Sequence, residues 1–176
     1  NPKLDVLDLK AISAEAKASK VPFIVDNTVA STYLLNPIQF GADIVIHSLT
    51  KYITGNGTSL GGVIIDAGNF DWTNGKFPEF TEPSAGYHGL VYHEALGKAA
   101  FIAKVRIEGL RDYGAALSPF NAFQIIQGLE TLPIRIQRHS KNALALAQWL
   151  ESQEEVAWVN YPGLKSNKYY VLSQKY

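Results

Sequence analysis

A single lysine, Lys51, lies in a stretch that is almost free of charge. Residues 21–65, 45 in all, carry only Asp26, Asp43 and Lys51, where the 18% average of the chain predicts about eight charged side chains. We interpret a stretch of this kind as buried. A lysine that follows a buried strand loses hydration, which favours the neutral, nucleophilic amine. Lys51 is therefore a candidate for forming a Schiff base with an aldehyde.

Two hydroxyls and one carboxylate are expected near that amine. Ser48 and Thr50 come just before Lys51, and hydroxyls of this kind are suitable donors to a phosphate ester. Asp26 ends a neighbouring apolar run, and parallel sheets place ligands at the carboxyl ends of their strands. Amine, hydroxyls and carboxylate are what pyridoxal phosphate requires for its aldehyde, its phosphate and its ring nitrogen. The same residues have a plainer interpretation, with Lys51 as a solvated loop residue and Asp26 as a turn former.

The elements that must position these residues follow from the hydrophobic pattern. Asp5 is expected to cap a helix over residues 6–19, whose apolar face is Leu9, Ile12 and Ala16. Short apolar runs without alternation predict strands covered on both faces, and they lie at residues 22–26, 43–47 and 61–66, with a further strand at 156–159. Helix and strands together predict a layered α/β sheet.

The second half of the chain is predicted to be mainly helical. Residues 67–92 are rich in Gly, Pro and aromatic side chains and predict a long irregular loop with a functional or interfacial role. Helices are expected over residues 93–110, 119–132 and 134–152, with Gly114 and Pro133 between them. Arg106, Arg111, Arg135 and Arg138 fall on these helices, where solvated positions or interface pairs are expected. His47 is expected to pack behind the site.

Composition excludes several function classes. The 176 residues carry 16 basic and 16 acidic side chains and no Cys. A neutral chain without a basic run is a poor candidate for nucleic acid or an anionic membrane, and the lack of thiols excludes disulfides and thiolate metal sites. The histidines show no metal-ligand spacing, so no metal is expected. We expect a cytoplasmic protein, and a piece of a longer chain because it opens on Asn1 and Pro2.

Ordered strings along the whole chain resemble the Cys/Met-metabolism family of pyridoxal-phosphate enzymes. They are VDNTVA at 25–30, ADIVIHSLTKY at 42–52, GTSLGG at 57–62, GLRDYG at 109–114, LSPFNAF at 117–123, GLETL at 128–132 and YPGL at 161–164. The resemblance implies pyridoxal 5'-phosphate as cofactor. It further implies Lys51 as the lysine that binds the cofactor and moves protons, Asp26 as the partner of the ring nitrogen, Ser48 and Thr50 as phosphate ligands, and Thr28 and Asn1 as neighbours of the ring. Asn56 departs from the family, whose members commonly have His there.

The resemblance also implies a fold and a division into domains. The expected architecture is the type I aminotransferase-like large domain with a mostly parallel sheet, plus the start of a small α/β C-terminal domain. Residues 1–133 would belong to the cofactor-binding large domain, and residues 134–176 to a linking helix and the truncated start of the second domain. Relatives assemble as dimers of dimers, so a homo-oligomer is expected.

Within the family, residues 71–89 resemble an insertion of the O-acetylhomoserine sulfhydrylases. This implies a γ-replacement in methionine biosynthesis, in which O-acetyl-L-homoserine and sulfide give L-homocysteine and acetate. Cystathionine γ-synthase and γ-lyase activities stay open as alternatives, as does a non-catalytic scaffold. The segment alone is expected to be inactive, because other site residues of the family lie outside it.

Overall fold

A computed structural model describes residues 3–176 and has a sheet of three strands at its centre. The strands are β1 (Ile24–Asp26), β2 (Ile44–Ser48) and β3 (Gly62–Asp66), in that order across the sheet. These three strands confirm three of the predicted apolar runs. Asn1 lies outside the described residues.

The sheet is mixed, with one parallel and one antiparallel pairing. β1 runs parallel to β2, with Asp26 opposite Ile46, whereas β3 runs antiparallel to β2, with Ser48 opposite Gly62. The chain between β1 and β2 contains the short helix α2 (Ser31–Leu34) and a 3₁₀ turn (Pro37–Phe40), which carry it back to the start of the next strand. Residues 49–61 contain no such crossover, so the chain reverses directly. A mostly parallel sheet is therefore not what the described strands form.

Helix α1 (Leu9–Ala18) covers one face of the sheet. Its Leu9 packs with Phe23, Ala42 and Val45, and Ile12 and Ala16 adjoin this cluster, as the periodicity predicts. The predicted cap at Asp5 is wrong: the helix begins three residues later, after Asp8, whose carboxylate accepts the Ala11 N–H at 3.3 Å. Hydrogen bonds from the Tyr176 hydroxyl and the Ala11 amide also lower the pKa of Asp8.

The aromatic segment 67–92 covers the other face of the sheet. Trp72, Phe80 and Tyr92 form a core with Ile44 and Ala100, against which Ile46 also packs. Trp72 stacks on Phe101 with ring centroids 5.3 Å apart and planes 4° apart. The segment is not wholly irregular, because it contains α3 (Pro78–Thr81) and a 3₁₀ turn (Ala85–Tyr87). These aromatic side chains pack within the chain, and an interfacial role for the segment stays a prediction.

The remaining helices follow this segment. They are α4 (Tyr92–Leu96), a 3₁₀ turn (Gly97–Ala99), α5 (Ala100–Lys104), a π-helix (Val105–Leu110), α6 (Arg111–Tyr113), α7 (Pro119–Glu151) and α8 (Tyr170–Lys175).

Helix α7 is one helix of 33 residues, so the predicted break at Pro133 is wrong. Pro133 has no N–H for the carbonyl of Leu129, a loss that weakens a helix. The helix continues because Leu132 and Ile136, on either side of the proline, are buried in a cluster with Ile53 and Ile125. Tertiary packing thus overrides the local signal.

The predicted strand at 156–159 is also wrong. Its residues pair with no strand in the described part of the chain, and an apolar run becomes a strand only where a sheet edge accepts it. No helix within residues 3–176 is long and apolar enough to cross a membrane.

Candidate active site

Asp26, Thr28 and Ser48 meet at the carboxyl ends of the parallel strands β1 and β2. Asp26 ends β1 and Ser48 ends β2. The backbone N–H of Thr28 donates to Asp26 Oδ1 at 2.9 Å, and the Thr28 hydroxyl accepts the Ser48 N–H at 2.8 Å. Thr28 therefore connects the two strand ends, and the structure brings these three predicted site residues together.

The Asp26 carboxylate is held in its charged form. Hydrogen bonds from the hydroxyl and the backbone amide of Thr28 lower the pKa of Asp26 below its ordinary value, and the nearby His47 acts in the same direction. The side chain is exposed at the strand end. An accessible carboxylate of this kind is suited to keep a proton on a basic ring nitrogen.

His47 lies within β2, next to the strand end. Only 1% of the residue is exposed, and its Nδ1 has no hydrogen-bond partner within residues 3–176. Burial lowers the pKa of His47, while the charge of Asp26 and a backbone hydrogen bond with Asn27 oppose that shift. The buried ring is therefore maintained as a neutral imidazole.

The residues after Ser48 form a compact turn that carries Lys51. The N–H of Thr54 donates to the carbonyl of Leu49 at 3.0 Å, and the N–H of Gly55 donates to the carbonyl of Lys51 at 2.8 Å. Thr50 is buried, and its hydroxyl accepts the Gly61 N–H at 3.1 Å. Thr50 Oγ1 also lies 3.4 Å from the Gly61 carbonyl oxygen, so it ties the turn to the start of β3.

Lys51 is exposed, which corrects the expectation that it loses its hydration. The uncharged stretch is not uniformly buried, since Val29 is 70% exposed and Leu60 74% exposed. The uncharged residues of this stretch therefore lie partly on the apolar surface and partly in the core. Within residues 3–176, no hydrogen bond of the Lys51 amine is present.

Two cavities lie away from these residues. One, of about 430 Å³, is lined by polar side chains that include Glu79, Lys104, Glu108 and Arg111. The other, of about 480 Å³, lies beside Trp72, Phe77 and Phe101. Neither is lined by Asp26, Ser48 or Lys51. We refer to the carboxyl ends of β1 and β2 with the Lys51 turn as the ledge.

Arg135 contacts the Lys51 turn, although its sequence position predicts a solvated or interfacial arginine. Its Nη1 donates to the Tyr52 carbonyl at 2.7 Å, and its Nη2 donates to the Ile53 carbonyl at 3.1 Å. The other hydrogen bonds of the guanidinium go to α7 itself, from Nη2 to the Gly128 carbonyl at 2.8 Å and from Nε to the Thr131 hydroxyl at 3.0 Å. The prediction for Arg135 is wrong. A weak sequence signal for this contact is Gly128, because a glycine inside a helix is typical of a place where another backbone approaches the helix closely.

The donor set at this ledge fits pyridoxal phosphate. It has an amine for the aldehyde, an ionised carboxylate for the ring nitrogen and hydroxyls beside the strand ends for the phosphate. Ser48 is half-buried, and no hydrogen bond is formed by its hydroxyl within the described residues. The Thr50 hydroxyl is engaged with Gly61 and would have to turn from it to reach a phosphate.

Comparison with known families identifies one match along the whole chain. The model of the Cys/Met metabolism PLP-dependent enzyme family matches residues 1–176.

Individual relatives agree with that match. The chain is 55% identical to an O-acetyl-L-homoserine sulfhydrylase of Leptospira meyeri, over all of this chain and 42% of that protein. It is 52% identical to a homocysteine/cysteine synthase of Kluyveromyces lactis, over all of this chain and 40% of that protein. The chain thus spans about two fifths of the length of these relatives.

A solved structure extends the likeness to the fold. A Campylobacter jejuni protein assigned as an O-acetylhomoserine (thiol)-lyase, which contains a pyridoxyl-lysine phosphate, superposes with a TM-score of 0.94. The two are 42% identical in sequence, over all of this chain and 44% of that one. The mixed helices and strands described above therefore have the fold of one segment of that protein.

Proposed function

The chain belongs to the Cys/Met-metabolism family of pyridoxal-phosphate-dependent enzymes, and we propose that it is part of an enzyme for γ-replacement on O-acetyl-L-homoserine. In this reaction the Cγ–O bond to acetate breaks and a Cγ–S bond to sulfide forms, which gives L-homocysteine and acetate without net oxidation or reduction. The names of the relatives from Leptospira meyeri and Kluyveromyces lactis support this choice.

We propose that the residues at the strand ends hold the cofactor. Asp26 would contact the ring nitrogen, Lys51 would bind the aldehyde carbon, and Ser48 and Thr50 would donate to the phosphate. Thr28 would orient Asp26 and lie near the ring, and Asn1 would be a further neighbour. When bound, pyridoxal phosphate supplies an electron-accepting ring that stabilises negative charge at the substrate Cα.

Lys51 and Asp26 would divide the proton chemistry between them. The Lys51 amine would be the base that takes the Cα proton and would later return a proton to the substrate. Asp26 keeps its charge because Thr28 donates to it from two groups, and that charge favours a proton on the ring nitrogen. Lys51 is exposed, so its side chain can extend toward a substrate at the strand ends.

The architecture of the whole protein is part of the proposal. The three described strands would belong to a larger, mostly parallel sheet of the type I large domain, formed with residues 1–133. Residues 134–176 would form the linking helix and the start of a small C-terminal domain. We further propose a homo-oligomer, assembled as a dimer of dimers and acting in the cytoplasm.

The single observation that carries the proposal is the junction of Asp26, Thr28 and Ser48 directly ahead of the Lys51 turn. Its test is Lys51→Ala in the full-length enzyme, with Lys141→Ala on the outer part of α7 as matched control. We expect Lys51→Ala to abolish homocysteine formation from O-acetyl-L-homoserine and sulfide and to change the visible absorption of bound cofactor. Lys141→Ala should alter neither.

The products identify the reaction. Homocysteine formed with sulfide supports the proposed γ-replacement, whereas cystathionine formed with cysteine as the nucleophile would assign a cystathionine γ-synthase. Release of a keto acid without any added nucleophile would assign a γ-lyase. A full-length protein that binds no cofactor would contradict the proposal and would favour the alternative of a non-catalytic scaffold.

A further inference from the structure

We propose that Arg135 is a positioning residue for Lys51, acting through the backbone of the turn that carries it. The inference rests on the proposed function, in which Lys51 is the reactive amine. Arg135 lies 83 residues after Tyr52 in the chain, but its side chain donates to the carbonyl of Tyr52, the residue that directly follows Lys51.

The guanidinium donates hydrogen bonds to the carbonyls of two successive residues of the turn. Nη1 donates to Tyr52 at 2.7 Å and Nη2 to Ile53 at 3.1 Å. Arginine presents its donors in a rigid planar fork, so two neighbouring acceptors fix both the distance and the rotation of the turn. Hydrogen bonds from a charged donor are also stronger than those between neutral groups.

The arginine is itself held in place by α7. Its Nε donates to the Thr131 hydroxyl at 3.0 Å, and its Nη2 also donates to the Gly128 carbonyl at 2.8 Å. The side chain is half-buried. Because α7 holds the guanidinium, its hydrogen bonds to Tyr52 and Ile53 fix the position of the turn relative to this helix.

Two glycines allow this close approach. A Cβ at Gly128 would lie 2.5 Å from the Thr54 carbonyl oxygen and 2.7 Å from that of Ile53, so only glycine lets α7 pack directly against the turn. Gly55, with φ +87°, closes the turn on the other side, where a Cβ would lie 2.6 Å from Arg135 Nη1. The contact between α7 and the turn therefore depends on a glycine on each side.

The turn is the part of the chain that directs Lys51. Its internal hydrogen bonds, from Thr54 N–H to Leu49 and from Gly55 N–H to Lys51, fix the backbone from which the lysine side chain extends. The backbone of the turn sets the position of the Lys51 Cα atom and the direction of its Cα–Cβ bond, from which the amine must reach its target. Misplacement of a reacting group by about 1 Å can cost about 100-fold in rate.

The test uses Arg135→Met and Arg135→Lys in the full-length, cofactor-loaded enzyme, with Arg138→Met as matched control. Arg138 lies on the same helix and is exposed. For Arg135→Met we expect kcat to fall by about 10- to 100-fold, while KM for O-acetyl-L-homoserine changes by less than about threefold. Arg135→Lys keeps one donor group and should retain an intermediate kcat, and Arg138→Met should match the parent.

A second readout does not depend on catalysis. In the cofactor-free full-length protein, hydrogen exchange at the amides of Thr54 and Gly55 should be faster in Arg135→Met than in Arg138→Met, with the other helices of both variants unchanged. Gly128→Ala should have the same local effect because it pushes α7 off the turn. Gly109→Ala is its control, since a Cβ there would meet only Val105 Cγ1 at an ordinary 3.9 Å.

The outcomes separate this inference from the function on which it rests. An unchanged kcat or unchanged exchange at Thr54 and Gly55 in Arg135→Met would overturn the positioning role. Faster exchange throughout the molecule, with kcat and KM both impaired, would also overturn it and leave a general structural role. If Arg135→Met does not fold, Arg135→Lys and Gly128→Ala decide by the same two readouts. If the parent enzyme itself forms no homocysteine, the proposed function fails, while the exchange data still report whether Arg135 holds the turn.

Discussion

At the scale of single residues, an Asp-x-Thr turn occurs twice in the chain with different surroundings. Thr28 donates its backbone amide to Asp26 at 2.9 Å, and Thr73 donates its amide to Asp71 at 2.8 Å. In both, hydrogen bonds from the threonine lower the pKa of the aspartate. Only the first turn continues to a neighbouring strand, through the Thr28 hydroxyl and the Ser48 N–H. Of the two turns, only the one at Asp26 joins two strand ends, as the proposed cofactor site requires.

Asp26→Asn should weaken cofactor binding by the full-length enzyme. The substitution keeps the shape of the side chain but removes the charge that would pair with a protonated ring nitrogen. A hydrogen bond to a charged group contributes about 1.5–3 kcal/mol, so we expect the dissociation constant of pyridoxal phosphate to rise by about 10- to 100-fold. Equilibrium titration followed by visible absorption measures it.

Asp71→Asn is the matched control, because it changes the same kind of turn away from the strand ends. Equal losses in the two variants would contradict a specific role for Asp26.

The lowered pKa of Asp26 also predicts how stability depends on pH. A carboxylate whose pKa is lowered in the folded state stabilises the fold above its ordinary pKa of 3.8, and this contribution is lost as the pH falls through the folded-state pKa. Asp26→Asn should therefore reduce the loss of stability on acidification below pH 3.8.

The sequence was a good guide to which polar residues meet and a poor one to their exposure. Asp26 and Ser48 end adjacent apolar runs, and that position is enough to predict their meeting in a parallel pair. The exposure of Lys51 was not predictable, because a run of uncharged residues does not reveal whether another layer covers it. Arg135 was missed since the sequence cannot indicate which face of α7 meets a turn 83 residues away.

At the scale of elements, α7 and β3 show where local signals fail. The helix passes through Pro133 because the cluster of Ile53, Ile125, Leu132 and Ile136 holds both of its halves. β3 is antiparallel because no crossover element separates it from β2. Both features depend on contacts between distant segments, whereas the existence of β2, shifted by one residue from the predicted 43–47, and the face of α1 follow from hydrophobic pattern alone.

Pro133→Ala should stabilise the enzyme. Alanine restores an N–H that can donate to the Leu129 carbonyl, and proline in a helix interior costs up to about 3 kcal/mol. We expect the free energy of unfolding, measured with denaturant, to rise by about 1–3 kcal/mol. Pro119→Ala is the control, since Pro119 stands in the first turn, where its missing N–H needs no partner, and should change stability by under about 1 kcal/mol. A loss of stability in Pro133→Ala would show that the proline shape is itself required.

At the scale of the whole molecule, α7 presents large apolar side chains to solvent. Phe120 is 67% exposed, and Phe123 and Trp149 are each 57% exposed. Large apolar side chains exposed along one helix are candidates for contact with further protein. The matched relatives are more than twice as long as this chain, so in those proteins further chain is available to cover the corresponding surface. The family was predictable at this scale because many ordered strings agree, although each is weak alone.

The 176-residue chain by itself should self-associate through this apolar surface. Light scattering should show an average mass that rises with concentration, and Phe123→Ser combined with Trp149→Ser should lower it. Gln127→Ser, at an exposed polar position of the same helix, serves as control. A chain that stays monomeric at all concentrations would contradict the prediction.

The short distance in sequence between Asp26 and Lys51 bears on the order of events during synthesis. Both strand ends and the Lys51 turn leave the ribosome before α7 does, and they join through a short loop whose closure costs little entropy. Tyr52 precedes Arg135 by 83 residues, which at about 5–20 residues per second is about 4–17 s of translation. These strand ends can therefore come together on the nascent chain well before α7 is available to contact the Lys51 turn.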